Sequence, residues 1–299
     1  MSEPTPLPSL QSSGAHPVLP AWVRFLLAAG AAYGAGRLAG ILAVLVTGNH
    51  LLRADLFFRF FTLVILLAVF SFFLRVLDEN ERSLPEALTL PLRRSSSRQF
   101  LLGLSLGGGL MSLEFSGEAI GATLSAQVAL NRGSLLRLLA IAVLLIAGAL
   151  MEELSFRGYP FQRLVESVGP IPAVAVLSIL FGWVHLSNPE SGGLVSWSFC
   201  NTIAVGILLA VLFLRSRTLW MPLGFHFGWN FFQGCVFGLP VSGITYLSPV
   251  VRTQAVGPVW LTGGAYGPEA SALCTALTLA ALGLVICVPE RIFKAEERR

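Results

Sequence analysis

Six polar residues interrupt otherwise apolar runs, and their types suit hydrolysis of a carbonyl compound. Glu152 and Glu153 stand side by side after the apolar stretch from Leu135 to Leu150, with Arg157 following. His185 ends a later apolar run, and His226 and Asn230 fall within another. An ionised side chain in hydrocarbon costs several kcal/mol, so each of these residues needs a partner or a wet cavity. Glu153 and Arg157 are four residues apart and share a helix face. Glu152 lies about 100° round the helix and is left unneutralised by that pair. A carboxylate beside an imidazole can take a proton from water, and an amide with an imidazole N–H can hold the oxyanion formed when that water attacks a carbonyl. The implied chemistry is hydrolysis of an amide inside a water-accessible cavity of the membrane. Ser155 lies three residues from Glu152, but no G-x-S-x-G elbow accompanies it. Glu152, His185 and His226 are also a carboxylate and two imidazoles of the kind that binds catalytic zinc, although no H-E-x-x-H is present.

The elements that must position these groups are membrane helices. The chain of 299 residues is 55% hydrophobic and 12% charged, about half the charge of a soluble domain. The expected fold is all-α, a polytopic bundle of about eight spans. They are 21–47, 55–76, 99–121, a fourth from about 135 through the acidic motif, 172–186, 194–214, 219–239 and 270–288. An amphipathic extension is expected to carry the fourth helix on to Val168. If the fourth and fifth helices turn at Val168-Gly169-Pro170, Glu152 and His185 both stand about 25 Å from the turn and meet at one depth. His226 and Asn230, spaced i, i+4, point one way from the seventh helix. A single membrane domain over 21–290 is expected, with the motif-bearing core at 135–240, a disordered tail at 1–20 and a basic tail at 291–299.

Fourteen of the twenty basic residues fall on the side of the termini and five on the other, which predicts cytoplasmic termini. The expected location is integral to a membrane, namely a bacterial inner membrane. The net charge of +4 comes from scattered arginines and one lysine, which excludes a basic stripe for nucleic acid. Cys200, Cys235, Cys274 and Cys287 lack C-x-x-C spacing and read as small buried apolar residues. Arg37 in the first span and Glu114 and Glu118 in the third are expected to form a structural ion pair. The stretch 240–269, rich in Gly and Pro, is expected to be an irregular outer cap.

Taken together, Glu152-Glu153-x-x-x-Arg157, Phe181-x-x-x-His185 and His226-x-x-x-Asn230 resemble the three ordered motifs of the CPBP family of intramembrane endopeptidases, the CAAX prenyl protease and bacteriocin-processing type. The similarity spans about 135–240 and includes Phe156-Arg157-Gly158 and the aromatic dressing from Gly224 to Phe232. It implies an eight-helix bundle with a conical cavity, Glu152 and His185 activating water, His226 and Asn230 holding the oxyanion, and Glu153 with Arg157 supporting Glu152. It favours a metal-free route over zinc. The implied partners are the lipid bilayer and a peptide or protein substrate, prenylated in some relatives; the oligomeric state is left open. Two other readings use the same residues: a transporter relaying protons or ions, and a noncatalytic membrane scaffold. No inverted repeat supports the transporter.

Overall fold

Long apolar runs in this chain become helices because a backbone in lipid must satisfy its own hydrogen bonds. A computed structural model describes residues 18–48, 50–79 and 82–293. Most of the expected tails, 1–17 and 294–299, lies outside the described residues. In chain order the helices are α1 (Ala21–Thr47), α2 (Leu51–Phe72), α3 (Leu84–Ala87) and α4 (Arg94–Gly121), with a π-helical turn at Phe73–Leu77 prolonging α2. They continue as α5 (Arg132–Phe156), α6 (Tyr159–Val168), α7 (Pro170–His185), α8 (Trp197–Ser216), α9 (Trp220–Phe231), α10 (Val259–Thr262) and α11 (Ala272–Cys287). Among the described residues, five helical stretches are long and apolar enough to cross a membrane: Ala21–Thr47, Leu51–Leu77, Arg94–Gly121, Arg132–Val168 and Trp197–Ser216. Two shorter apolar helices, α7 and α11, have 16 residues each, about 24 Å of rise, short of a typical hydrocarbon core of about 30 Å. The protein is a polytopic membrane helical bundle.

Three expectations need correction. The fourth helix does not run unbroken to Val168: α5 ends at Phe156, and α6 starts at Tyr159 after a break at Arg157–Gly158. Arg157 has left helical geometry, with φ −126° and ψ −9°. The turn into α7 does fall where the Gly-Pro pair stands, with Gly169 at φ 84°, a left-handed angle that favours glycine. Secondly, the fold is not purely helical, because β1 (Thr123–Val128) and β2 (Val251–Val256) form an antiparallel ribbon with Thr123 opposite Val256 and Val128 opposite Val251. The 240–269 cap therefore contains a strand and α10 rather than irregular chain throughout. Thirdly, Arg37 does not pair with Glu114. Glu114 instead accepts from the Ser271 hydroxyl at 2.6 Å, and Glu118 makes no hydrogen bond among the described residues. The cysteines divide, with Cys235 and Cys274 buried as expected and Cys200 and Cys287 exposed on helix surfaces.

Two features set the depth of the elements that matter. Helices α4 and α9 approach backbone to backbone through a pair of four-residue glycine repeats. A Cβ at Gly103 or Gly107 would strike the carbonyls of Met221 and Phe225, and one at Gly224 or Gly228 would strike those of Phe100 and Leu104. Small residues spaced this way let membrane helices close on one another without a solvent-driven force. At the end of the bundle where α1 begins, Arg24 pairs with Asp78 at 2.5 Å and with Glu166 at 2.7 Å. Arg163 reaches Glu166 at 2.9 Å and Asp78 at 3.4 Å, and the Tyr159 hydroxyl donates to Asp78 at 3.0 Å. This cluster ties α1, the end of α2 and α6 together, above a core that includes Leu66, Phe70, Phe161 and Phe213.

Candidate active site

Helix α5 delivers Glu152 and Glu153 in its last turn, and the two side chains have different fates. Glu153 is fully buried and accepts from His226 Nδ1 at 2.9 Å, with Arg157 Nη1 at 3.4 Å from the same oxygen. Arg157, also buried, donates from Nη2 to the Gly206 carbonyl of α8 at 2.9 Å and lies over the Phe181 ring at 4.5 Å. The expected Glu153–Arg157 pair is thus present, but its nearest partner is a histidine from α9. Both contacts reach Glu153 Oε1, and charge-assisted hydrogen bonds of this kind offset part of the cost of burial; Oε2 is buried without a partner among the described residues.

Glu152 turns instead to the wall of a cavity of about 1300 Å³ that is also lined by His185, His226 and Asn230. Its Oε2 lies 3.8 Å from His185 Nε2 and 3.7 Å from His226 Nε2. Both separations exceed a direct hydrogen bond, and this oxygen is buried without a hydrogen-bond partner among the described residues. The other nitrogen of each ring is fixed. His185 Nδ1 is 2.7 Å from the Phe181 carbonyl, and since a carbonyl only accepts, Nδ1 carries the proton. Its Nε2 therefore presents a lone pair to Glu152 when the ring is neutral. His226 Nδ1 is held by Glu153, so Nε2 is again the nitrogen facing the cavity. Phe181 serves both helices, since its carbonyl sets the tautomer of His185 and its ring meets that imidazole at 4.4 Å while carrying Arg157.

Asn230 lines the same cavity one turn beyond His226 on α9. The four expected residues are thus brought to one hollow from α5, α7 and α9, with depths set by the α6–α7 turn and the α4–α9 glycine seam. Among the described residues, no group of three or more His, Cys, Asp and Glu side chains has the geometry to hold a metal ion.

Residues 134–232 match the family described as Type II CAAX prenyl endopeptidase Rce1-like. The match supports a relationship of this segment to the CPBP/Rce1-like proteases. It covers about a third of the sequence, from the start of α5 to the end of α9, and so includes every residue of the candidate site. No curated protein and no solved structure matches the chain. The Rce1-like segment supplies the three motif helices, whereas α1, α2 and the 240–269 cap, which close the cavity, lie outside it.

Those outer walls hold polar residues that the sequence reading passed over. On α2, Arg59 Nε donates to Asp55 at 2.8 Å, and Tyr246 from the cap donates to the same carboxylate at 2.8 Å. Arg59 rests against Gly148, where a Cβ would occupy the position of its guanidinium. Gly148 is one turn before Glu152 on α5. The spacing of four between Asp55 and Arg59 inside an apolar run is the signal of this pair in the sequence. Glu269 in the cap also lines the cavity; it accepts from the Ser242 backbone N–H and hydroxyl and from Gln233. Burial pushes its carboxyl above the usual range, outweighing the hydrogen bonds from Gln233 and Ser242.

Proposed function

We propose that this protein is an intramembrane endopeptidase that hydrolyses a peptide bond of a membrane-associated or prenylated protein. The observation that carries the reading is the approach of His185 Nε2 and His226 Nε2, from two different helices, to one oxygen of Glu152 on a cavity wall. Glu152, assisted by His185, removes a proton from water as that water attacks the scissile carbonyl carbon. His226, protonated on Nε2 as well as on the Nδ1 held by Glu153, and the Asn230 amide donate to the resulting oxyanion. Collapse of the tetrahedral intermediate breaks the C–N bond, and the proton taken by Glu152 passes to the leaving amine. Glu153 and Arg157 touch no reacting atom in this scheme. They hold His226 and α8 in place.

In this reading α7, α9 and α11 complete an eight-helix bundle within one domain over 21–290, with both termini in the cytoplasm of a bacterial inner membrane. Water is activated by the carboxylate without a metal. The test uses a fluorogenic peptide carrying a farnesylated cysteine and its unlipidated twin, with purified protein in lipid nanodiscs. Glu152→Ala is expected to abolish cleavage while leaving expression and the melting midpoint nearly unchanged. Full cleavage by that variant would sink the assignment. Metal analysis and chelator treatment of the same preparation are expected to leave the rate unchanged; loss of activity restored by zinc would replace the metal-free step.

A further inference from the structure

The cavity is lined by Glu152, His185, His226 and Asn230 and also by two arginines of the α1–α2 hairpin, Arg37 and Arg59. Arg37 lies about 15 Å from the end of α1 at Thr47 and Arg59 about 12 Å from the start of α2 at Leu51, within one helical turn of the same depth. The register agrees, because Gly40 of α1 faces the ring of Phe58 on α2, beside Arg59. Their electrostatic situations differ. Arg59 is gripped by Asp55 through Nε and Nη2, at 2.8 and 3.2 Å. Arg37 has no ion pair with any described residue, although it sits near the middle of a span and on the cavity wall. A guanidinium at that depth without an acid is expensive unless water or an anion meets it. Its planar fork is matched to a carboxylate.

We propose that Arg37, with Arg59 beside it, forms an anion subsite that takes a carboxylate of the bound peptide. This deepens the peptidase reading and rests on it in so far as the ligand is a peptide. Spacing limits where that carboxylate falls. Arg59 rests on Gly148, which is about 6 Å along α5 from Glu152. An extended chain advances about 3.3–3.6 Å per residue, so the recognised group lies within about three residues of the bond that Glu152 addresses. Either a free C-terminus or an acidic side chain supplies the same chemistry. Arg37 is then a specificity-determining residue outside the Rce1-like segment.

The experiment measures binding rather than turnover, so it is separable from the catalytic assignment. Full-length protein in phosphatidylcholine nanodiscs is titrated with fluorescent farnesylated peptides that differ only in a C-terminal acid or amide. A second, amidated pair differs only in Asp or Asn within three residues of the lipidated cysteine. Wild type is expected to bind the acid member of one pair about tenfold or more tightly than its neutral twin, and the pair concerned identifies the source of the carboxylate. Arg37→Gln should remove the preference by weakening the acidic member alone, and Arg37→Lys should keep part of it. Equal binding of acid and neutral peptides by wild type, or binding of neither, would overturn the proposal. So would equal weakening of both members by Arg37→Gln with a lowered melting midpoint, which marks a structural role. Loss of the preference in nanodiscs containing phosphatidylglycerol would assign Arg37 to lipid phosphate instead. Cleavage by Glu152→Gln at the wild-type rate would remove the peptidase reading while leaving the measured preference standing.

Discussion

At the scale of single residues, the two adjacent glutamates separate into a group that meets the cavity and a group that meets only protein. That difference has an experimental signature. Glu152→Gln preserves volume and removes the base, so cleavage should fall by about 10²–10⁴ with little change in melting, measured as initial rate and detergent midpoint. Glu153→Ala is expected to behave oppositely, because it leaves Arg157 and the Nδ1 of His226 without their acceptor in a site closed to solvent. Breaking one side of such a pair costs about 3–5 kcal/mol, which should appear as a large fall in the melting midpoint and in folded yield. The i, i+4 relation of Glu153 to Arg157 was legible in the sequence. Its closer contact with His226 was not, since nothing in local spacing reports which of two neighbouring carboxylates a residue 73 positions away will choose.

At the scale of elements, the site depends on how α9 is seated. Side chains do not separate α4 from α9 at the glycine repeats, so a larger residue there has to displace backbone. Gly224→Leu is expected to lower stability by about 1–3 kcal/mol and to reduce cleavage further than the stability loss explains, because His226 is two residues away; comparing the rate per folded molecule with wild type checks this. Gly148→Ala is a milder counterpart, expected to push Arg59 from its seat and to alter peptide affinity more than turnover. The helices themselves were readable as apolar runs, including the turn at Gly169. The break after Phe156 does carry a signal, Gly158 followed by Pro160 in the first turn of α6, but the apolar periodicity on either side masks it. The β1–β2 ribbon has no local signature for a related reason: paired residues are 133 positions apart at Thr123 and Val256 and 123 apart at Val128 and Val251, and short exposed strands leave little alternation to read.

At the scale of the whole molecule, the cap and the α1–α6 end hold the bundle from opposite ends. In the cap, Glu269 is an acid whose folded carboxyl titrates above the ordinary range because it is buried. Its protonated form is therefore favoured by folding, so the stability it contributes is full below the ordinary carboxylate range and declines as pH rises through the raised value. The melting midpoint of wild type should fall across that window, and Glu269→Gln should flatten the fall; an unchanged pH slope in the variant would count against Glu269 as its source. At the other end, Asp78→Asn should loosen α1, since Asp78 serves Arg24, Arg163 and Tyr159 together, and faster amide hydrogen exchange confined to α1 and α6 is the expected readout. Composition made the membrane bundle evident, whereas the pairing of distant ends had no local signature.

The glycine seam between α4 and α9 also constrains how such a protein can diversify. A seam made of main chain offers no side-chain volume to trade, so changes along it come as steps rather than gradations, and the imidazole and amide on α9 stay where the seam leaves them. New preferences for a substrate have to be written on the α1–α2 hairpin, where Tyr33, Arg37 and their neighbours can be exchanged without moving the chemistry.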